Sequence, residues 1–329
     1  MKKFLNSVDT MLAESIDGFA AAHADILTLG DGHKFIRRRA LKPGKVALLS
    51  GGGSGHEPLH GGFVGHGMLD AACPGQVFTS PTPDQMLEAI AEIDTGAGVL
   101  LVVKNYEGDV MNFEMAAEMA EGQIDRVIVN DDVAVEDSLY TTGRRGVAGT
   151  LVVERIVGAA AEQGADLATL KALGDRVNRA TRSMGVALTS CTVPAAGKPM
   201  FEISDGEMEF GVGIHGEPGR RRDTLKSADE IAAELCGAIA GDLGHVTGKR
   251  ALLFINGFGG TPMMELYLMY NSARAVFQER GVEITRSLVG NFVTSLDMAG
   301  CSVTLTLLDD ELSALWDAPV HTAALRWGR

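Results

Sequence analysis

Three short stretches gather the side chains whose types and spacing could do chemistry. Residues 50–67, SGGGSGHEPLHGGFVGHG, hold eight glycines and three histidines in eighteen positions. So many glycines let backbone N–H groups approach a ligand oxygen closely, and the histidines add acid–base groups. The plainer reading is a structural glycine turn with surface histidines. Residues 104–109, KNYEGD, set Lys104 and Asp109 around one strand-end loop, where a surface ion pair is the plainer account. Residues 211–219, GVGIHGEPG, carry His215 between glycines at 213 and 216, with Pro218 and Gly219 behind it. A lone histidine is more often structural. Here small neighbours leave the imidazole accessible and cannot pack it into a core.

Two of these stretches also imitate well-known motifs. His56-Glu57-Pro58-Leu59-His60 spells HExxH, the zinc-protease signature, which works only when both histidines project from one face of a continuous helix. Pro58 between them, and glycines on both sides, make a helix there very costly. Gly211 to Gly216 spells GxGxxG, but a dinucleotide site needs a helix to begin at that point, and Glu217-Pro218-Gly219 reads as a turn. No GxxxxGK[ST] occurs, because the GK pairs at 44–45, 197–198 and 248–249 are followed by Val, Pro and Arg. A chain without that loop does not hold a nucleotide in the P-loop manner.

These stretches need elements to position them. Val8, Met11, Leu12, Ile16 and Phe19 fall on one stripe, which predicts a helix over 7–23. Apolar runs at 45–50, 98–104 and 126–129 read as buried strands, and 83–93, 110–121, 148–163 and 168–179 as helices. That rhythm predicts a largely parallel sheet, with loops starting at Gly51 and Asn105 outside strand carboxyl ends, where ligands sit in such sheets. A second group starts near Met184. It has strands at 186–191, 208–214, 251–255, 282–289 and 302–307, and helices at 228–240 and 263–280. The expected architecture is two α/β domains, 1–183 and 184–329, each a mostly parallel or mixed sheet covered by helices. Length agrees, since 329 residues exceed the roughly 250–300 at which one core stops growing.

Composition narrows the function. A net charge of −14 argues against non-specific nucleic-acid binding, which needs a basic face. Arg220-Arg221-Arg222 is the local exception, read either as a solvated loop or as a contact for phosphate or an acidic partner. Cys73, Cys191, Cys236 and Cys301 are scattered and form no CxxC pair, which fits reduced, buried thiols in a cytoplasmic protein. After Lys2 and Lys3 the start turns polar, unlike a secretory signal. No apolar run reaches the roughly 20 residues of a membrane span.

Longer strings then become specific. Read in order, SGGGSGHEP (50–58), ACPGQVFTSPTPDQ (72–85), VVKNYEGDVMNFE (102–114), DSLYTTGRRGVAGT (137–150), CTVPAAGKP (191–199), MEFGVGIHGEPG (208–219), TSLDMAG (294–300) and LWDAPVHTAAL (315–325) resemble the dihydroxyacetone-binding subunit of the dihydroxyacetone kinase family. The resemblance spans nearly the whole chain.

It implies a covalent ketose site. His215 is cast as the residue that attacks the carbonyl of dihydroxyacetone and forms a hemiaminal, a role open to a neutral imidazole nitrogen. Glycerol has no carbonyl and would be refused. Asp109 would accept the proton of the hydroxyl to be phosphorylated, and His56 would share acid–base work or orient the substrate. Gly53, with Ser54 and Gly55 beside it, and Lys104 through its ammonium, would hold substrate oxygens. The resemblance implies no metal or cofactor in this chain. ADP or ATP and Mg2+ belong on a separate L-type kinase subunit, rephosphorylated from phosphoenolpyruvate through an M-type subunit of the phosphotransferase system. The chain stops after the WDAPVHT string, which favours this multi-subunit type over members fused to a nucleotide-binding domain. Residues 240–250 are fewer than in some members, which bears on oligomer contacts. A homodimer is expected, and neither nucleic acid nor membrane is an expected partner. Two other functions stay open: a dihydroxyacetone-sensing transcriptional co-activator, and a kinase subunit for a longer ketose such as erythrulose. Retention of both Asp109 and His56 favours the enzyme, since a sensor has no need to activate a hydroxyl.

Overall fold

A computed structural model describes residues 2–134, 143–217 and 219–328. The chain forms two compact units interleaved in sequence. The first takes Met1–Val129, Val153–Arg176 and Ala314–Arg329, and the second takes Asn130–Val152 and Val177–Ser313. This differs from a single cut at residue 183, because residues 130–152 join the second unit and the last sixteen residues return to the first.

The first unit opens with α1 (Met11–Ala22), β1 (Leu27–Leu29), β2 (Ile36–Arg38), β3 (Ala47–Ser54), β4 (Gly65–His66) and β5 (Ala71–Val77). It continues with α2 (Pro83–Ile93), β6 (Val99–Lys104), α3 (Glu107–Met119) and β7 (Ile124–Val129). Its main sheet has the order β1-β2-β5-β3-β6-β7, and the last four strands run parallel. Parallel strands need both faces covered. Leu49, Val99, Leu101 and Val103 are therefore buried against Met86, Ile90 and Ile93 of α2 and Phe113 of α3. Pro83 suits the first turn of α2, and the Thr82 N–H donates to Gln85 Oε1 at 2.9 Å, closing the helix start.

Two helices carry the chain between the units, α4 (Gly149–Glu162) and α5 (Leu167–Ala180). The second unit then adds β8 (Thr181–Ala187), β9 (Glu207–Phe210), β10 (Arg221–Thr224), α6 (Ala228–Leu243), β11 (Arg250–Gly257), α7 (Met263–Glu279), β12 (Glu283–Gly290) and β13 (Gly300–Leu308). Its sheet has the order β10-β9-β8-β13-β11-β12. Only β11 and β12 pair in parallel, so this sheet is mixed and mostly antiparallel. Leu253, Ile255, Val303 and Leu305 pack against Leu235 and Ile239 of α6 and Phe277 of α7. The last elements are α8 (Asp310–Asp317), β14 (Val320–Thr322) and β15 (Arg326–Trp327), and β14 pairs with β4 in a small three-stranded sheet.

Two local expectations change. Gly51, Gly52 and Gly53 are not the start of a loop but the buried end of β3. A side chain on Gly53 would meet Thr79 N at 2.5 Å, so glycine here serves close approach. Asp109 does not lie in a loop either; it occupies the first turn of α3, where the helix dipole favours a carboxylate. Among the described residues no helix is long and apolar enough to cross a membrane.

Candidate functional site

The carboxyl ends of the adjacent parallel strands β5, β3 and β6 bring the first set of residues together within the first unit. Lys104 ends β6 and is fully buried. Its ammonium donates to Asp109 Oδ2 at 3.1 Å, to Gly51 O at 3.3 Å and to His60 Nε2 at 3.2 Å. An ammonium has three protons, so these contacts use all of them. Asp109 accepts a second bond on Oδ1 from the Ser80 hydroxyl. Gly52 leaves room for this arrangement, since a Cβ there would lie 2.2 Å from Lys104 Nζ.

The turn after β3 places His56, which is buried and stacks on the Phe78 ring with centroids 5.1 Å apart. Ser54 donates its hydroxyl to Gly75 O at 2.7 Å, and the Gly55 N–H reaches the Glu57 carboxylate at 3.0 Å. No helix runs through residues 56–60, and His60 turns away to Glu154 of α4, with Nδ1 2.7 Å from Oε1. Among the described residues no group of three or more His, Cys, Asp or Glu is placed to hold a metal ion. Burial first, then the charges of Lys104 and His56, hold His60 well below its ordinary value, so its ring is neutral. Burial pushes the Glu154 carboxyl up to about 8, against the opposing pull of Ser50 and Lys104. A cavity of about 410 Å3 opens beside this cluster, lined by Leu12, Ile16 and Phe19 of α1 and by Gly53, Glu57 and His60.

The second unit holds His215, whose ring is 19% exposed. Its Nδ1 lies 2.8 Å from Glu217 Oε1, and its backbone N–H donates to Glu217 Oε2 at 2.9 Å. Glu217 is buried; burial alone would raise its carboxyl, but His215 and Arg145 overcome this and hold it at about 2. An ionised Glu217 accepts the Nδ1 proton, which fixes the tautomer of the His215 ring. Arg145 is itself fully buried, bonded to Asp132 Oδ2 at 2.7 Å and to Gly211 O at 2.6 Å. No helix begins after Gly211, whose N–H pairs with Gly185 O at 2.7 Å, so the GxGxxG spelling is a turn. Arg221 and Arg222 pair with Glu234 and Glu209 at 2.7 and 3.2 Å. All four cysteines are buried and none forms a disulfide, and burial pushes Cys301 up to about 12. Pro218 and residues 135–142, parts of two of the quoted strings, lie outside the described residues.

Ser80, Glu154, Glu217 and Arg145 complete these clusters without having been singled out in the sequence, and His60, noted there only as half of a false HExxH, joins them. One signal was available for Glu154: Leu151-Val152-Val153-Glu154-Arg155-Ile156-Val157 sets two charges inside an apolar run, and both side chains are fully buried.

Taken together, these groups suit a protein that binds a small polar molecule and handles its protons. The chain belongs to the Dak1 domain family, which matches residues 17–324. It is 50% identical to the dihydroxyacetone-binding subunit of PTS-dependent dihydroxyacetone kinase 1 from Listeria innocua, over 94% of this chain and 95% of that one. It is 47% identical to the dihydroxyacetone-binding subunit of the PEP-dependent dihydroxyacetone kinase of Escherichia coli, with both chains covered in full. The solved structure of a dihydroxyacetone kinase operon co-activator is 32% identical, with a TM-score of 0.88, over 94% of this chain and 96% of that one.

Proposed function

We propose that this chain is the ketose-binding subunit of a phosphoenolpyruvate-dependent dihydroxyacetone kinase, and that His215 carries the ketose. The observation that supports it most is the His215 ring oriented at Nδ1 by the ionised Glu217, with Nε2 as the attacking atom. The Nε2 lone pair bonds to the ketose carbonyl carbon, and the carbonyl π pair moves to oxygen, which takes up a proton to become a hydroxyl. Positive charge developing on the imidazole is met by the ionised Glu217. Glycerol offers no carbonyl and is refused. Asp109, paired with the Lys104 ammonium, accepts the proton of the hydroxyl that attacks phosphorus, while His56 and the backbone of residues 53–55 keep the substrate oxygens in place. Phosphoryl transfer asks mostly for positioning and charge stabilisation, so a subunit that only fixes the acceptor is chemically complete. The nucleotide and Mg2+ belong on an ADP-binding L-type partner, recharged through an M-type phosphotransferase-system subunit. The working form is a cytoplasmic homodimer.

The test mixes the chain with an ADP-loaded L-type subunit and its recharging system, then follows formation of dihydroxyacetone phosphate. Native mass spectrometry with dihydroxyacetone should show an adduct of one ketose mass, absent in His215→Ala. An adduct that persists in that variant refutes the role of His215. Likeness to a co-activator favours one second reading, a dihydroxyacetone sensor. Adduct formation without phosphate transfer to any cognate partner would select it, and adduct formation with erythrulose alone would shift the substrate to the longer ketose.

A further inference from the structure

Behind the Lys104–Asp109 pair lies a buried polar chain that the reaction outlined above does not use. Ser50, His60 and Glu154 are all inside the first unit and all at most 6% exposed. The Ser50 hydroxyl donates to Val102 O at 2.7 Å, so toward the His60 Nδ1, 3.0 Å away, it can only accept. Glu154 Oε1 faces the same nitrogen at 2.7 Å. On the other side of the ring, the Lys104 ammonium has only donors to offer Nε2. One tautomer satisfies all three contacts: the proton sits on Nδ1 and Nε2 accepts from Lys104.

We propose that His60 is a positioning residue for the Lys104–Asp109 pair, with its tautomer fixed by Ser50 and Glu154. The inference rests on the proposed role of Asp109 and goes one layer behind it. An ammonium buried beside a carboxylate closes onto it unless something else shares its protons. Gly51 O and His60 Nε2 each take one, at 3.3 and 3.2 Å, leaving a single proton for Asp109 Oδ2. Without the imidazole acceptor, Lys104 turns a second proton toward Asp109 and occupies a lone pair that the substrate hydroxyl needs. The neutral state of His60, enforced by burial and by Lys104 itself, is the state this task requires. Glu154 Oε2 has no hydrogen-bond partner among the described residues, so the carboxyl serves this chain through Oε1 alone.

Three variants and one spectrum test the idea. In His60→Leu the acceptor is gone; kcat should fall about 10- to 100-fold, the range expected for one lost hydrogen bond to a charged group. The ketose KM should stay within about twofold, because the carbonyl is held by His215 rather than through His60. His60→Gln, whose Oε1 falls near the Nε2 position, should regain most of kcat. Nitrogen-15 spectra of the histidine-labelled intact chain should show His60 protonated at Nδ1. That measurement needs no variant to fold. A His60 ring protonated at Nε2 overturns the proposal, and so does a His60→Leu protein with normal kcat. Asp109→Asn separates the two levels. If it also turns over normally, the reading of Asp109 fails; if it is slow while His60→Leu is not, only the present inference fails.

Discussion

Replacing Glu217 by Gln probes the group that prepares His215 for attack. The folded protein holds the Glu217 carboxyl at about 2 instead of 4.5, a preference for the ionised form of about 3 kcal/mol. His215 and Arg145 supply that preference against the cost of burial. Glu217→Gln keeps an oxygen within reach of the Nδ1 proton but removes the charge. Adduct formation places positive charge on the imidazole, so the variant forfeits the part of this energy that faces His215, on the order of 1–2 kcal/mol. Dihydroxyacetone affinity measured by titration calorimetry at neutral pH should therefore weaken about 10-fold. Glycerol, run alongside, should give no heat with either protein. The acid limb gives an independent reading. Because the folded value is depressed, the stability from Glu217 is fully present above about 4.5 and is lost as pH falls through about 2. The melting temperature of the parent should drop across that window more steeply than that of Glu217→Gln. Ketose affinity within twofold of the parent would refute the argument that the carboxylate stabilises the adduct.

Other substitutions follow from the first unit. Asp109→Asn should keep the ketose adduct in native mass spectra yet slow phosphate transfer at least about 100-fold, as expected for loss of a general base. A normal rate with normal folding would remove Asp109 from the chemistry. Gly52→Ala places a methyl 2.2 Å from Lys104 Nζ, at the end of a flexible side chain. The ammonium should be displaced, with a melting loss equivalent to about 1–3 kcal/mol and a larger loss of transfer rate. A Gly52→Ala protein that turned over like the parent would show that the Lys104 position is not needed.

Periodicity worked where one face of an element is buried. Pro83–Ile93 is read from its proline start and its apolar stripe, and the runs around Val99–Lys104 and Arg250–Gly257 from their unbroken hydrophobicity. It failed for β5, where Ala71–Val77 carries a proline and a glycine inside a strand, and for the two- and three-residue strands, which are too short to show a period. The strand expected at 186–191 starts five residues earlier and ends at Ala187, because Thr181, Arg182 and Ser183 pair with β13 although they are polar. Thr181 and Ser183 hydrogen-bond to Thr306 and Thr304 across that pairing, so hydroxyls replace the apolar contacts that the pattern looks for.

Site residues divide along the same line. His56, Lys104, Asp109 and His215 stand out because each interrupts glycines or lies at or just past the end of a strand. His60 and Glu154 are 94 positions apart, and only the fold brings them to 2.7 Å. Nothing local in either residue announces the contact; what could have been asked is where two charges buried in Leu151–Val157 find partners. Arg155 answers with the carbonyls of Gly67, Trp316 and Ala318, a structural tie between distant segments. Glu154, one residue earlier, reaches the imidazole that steadies Lys104. Adjacent ionisable residues on one buried helix thus part into a structural clamp and a support for the site. An ionisable group kept in a core at such desolvation cost needs a partner it serves, and for Glu154 that partner leads to Asp109 in two further contacts.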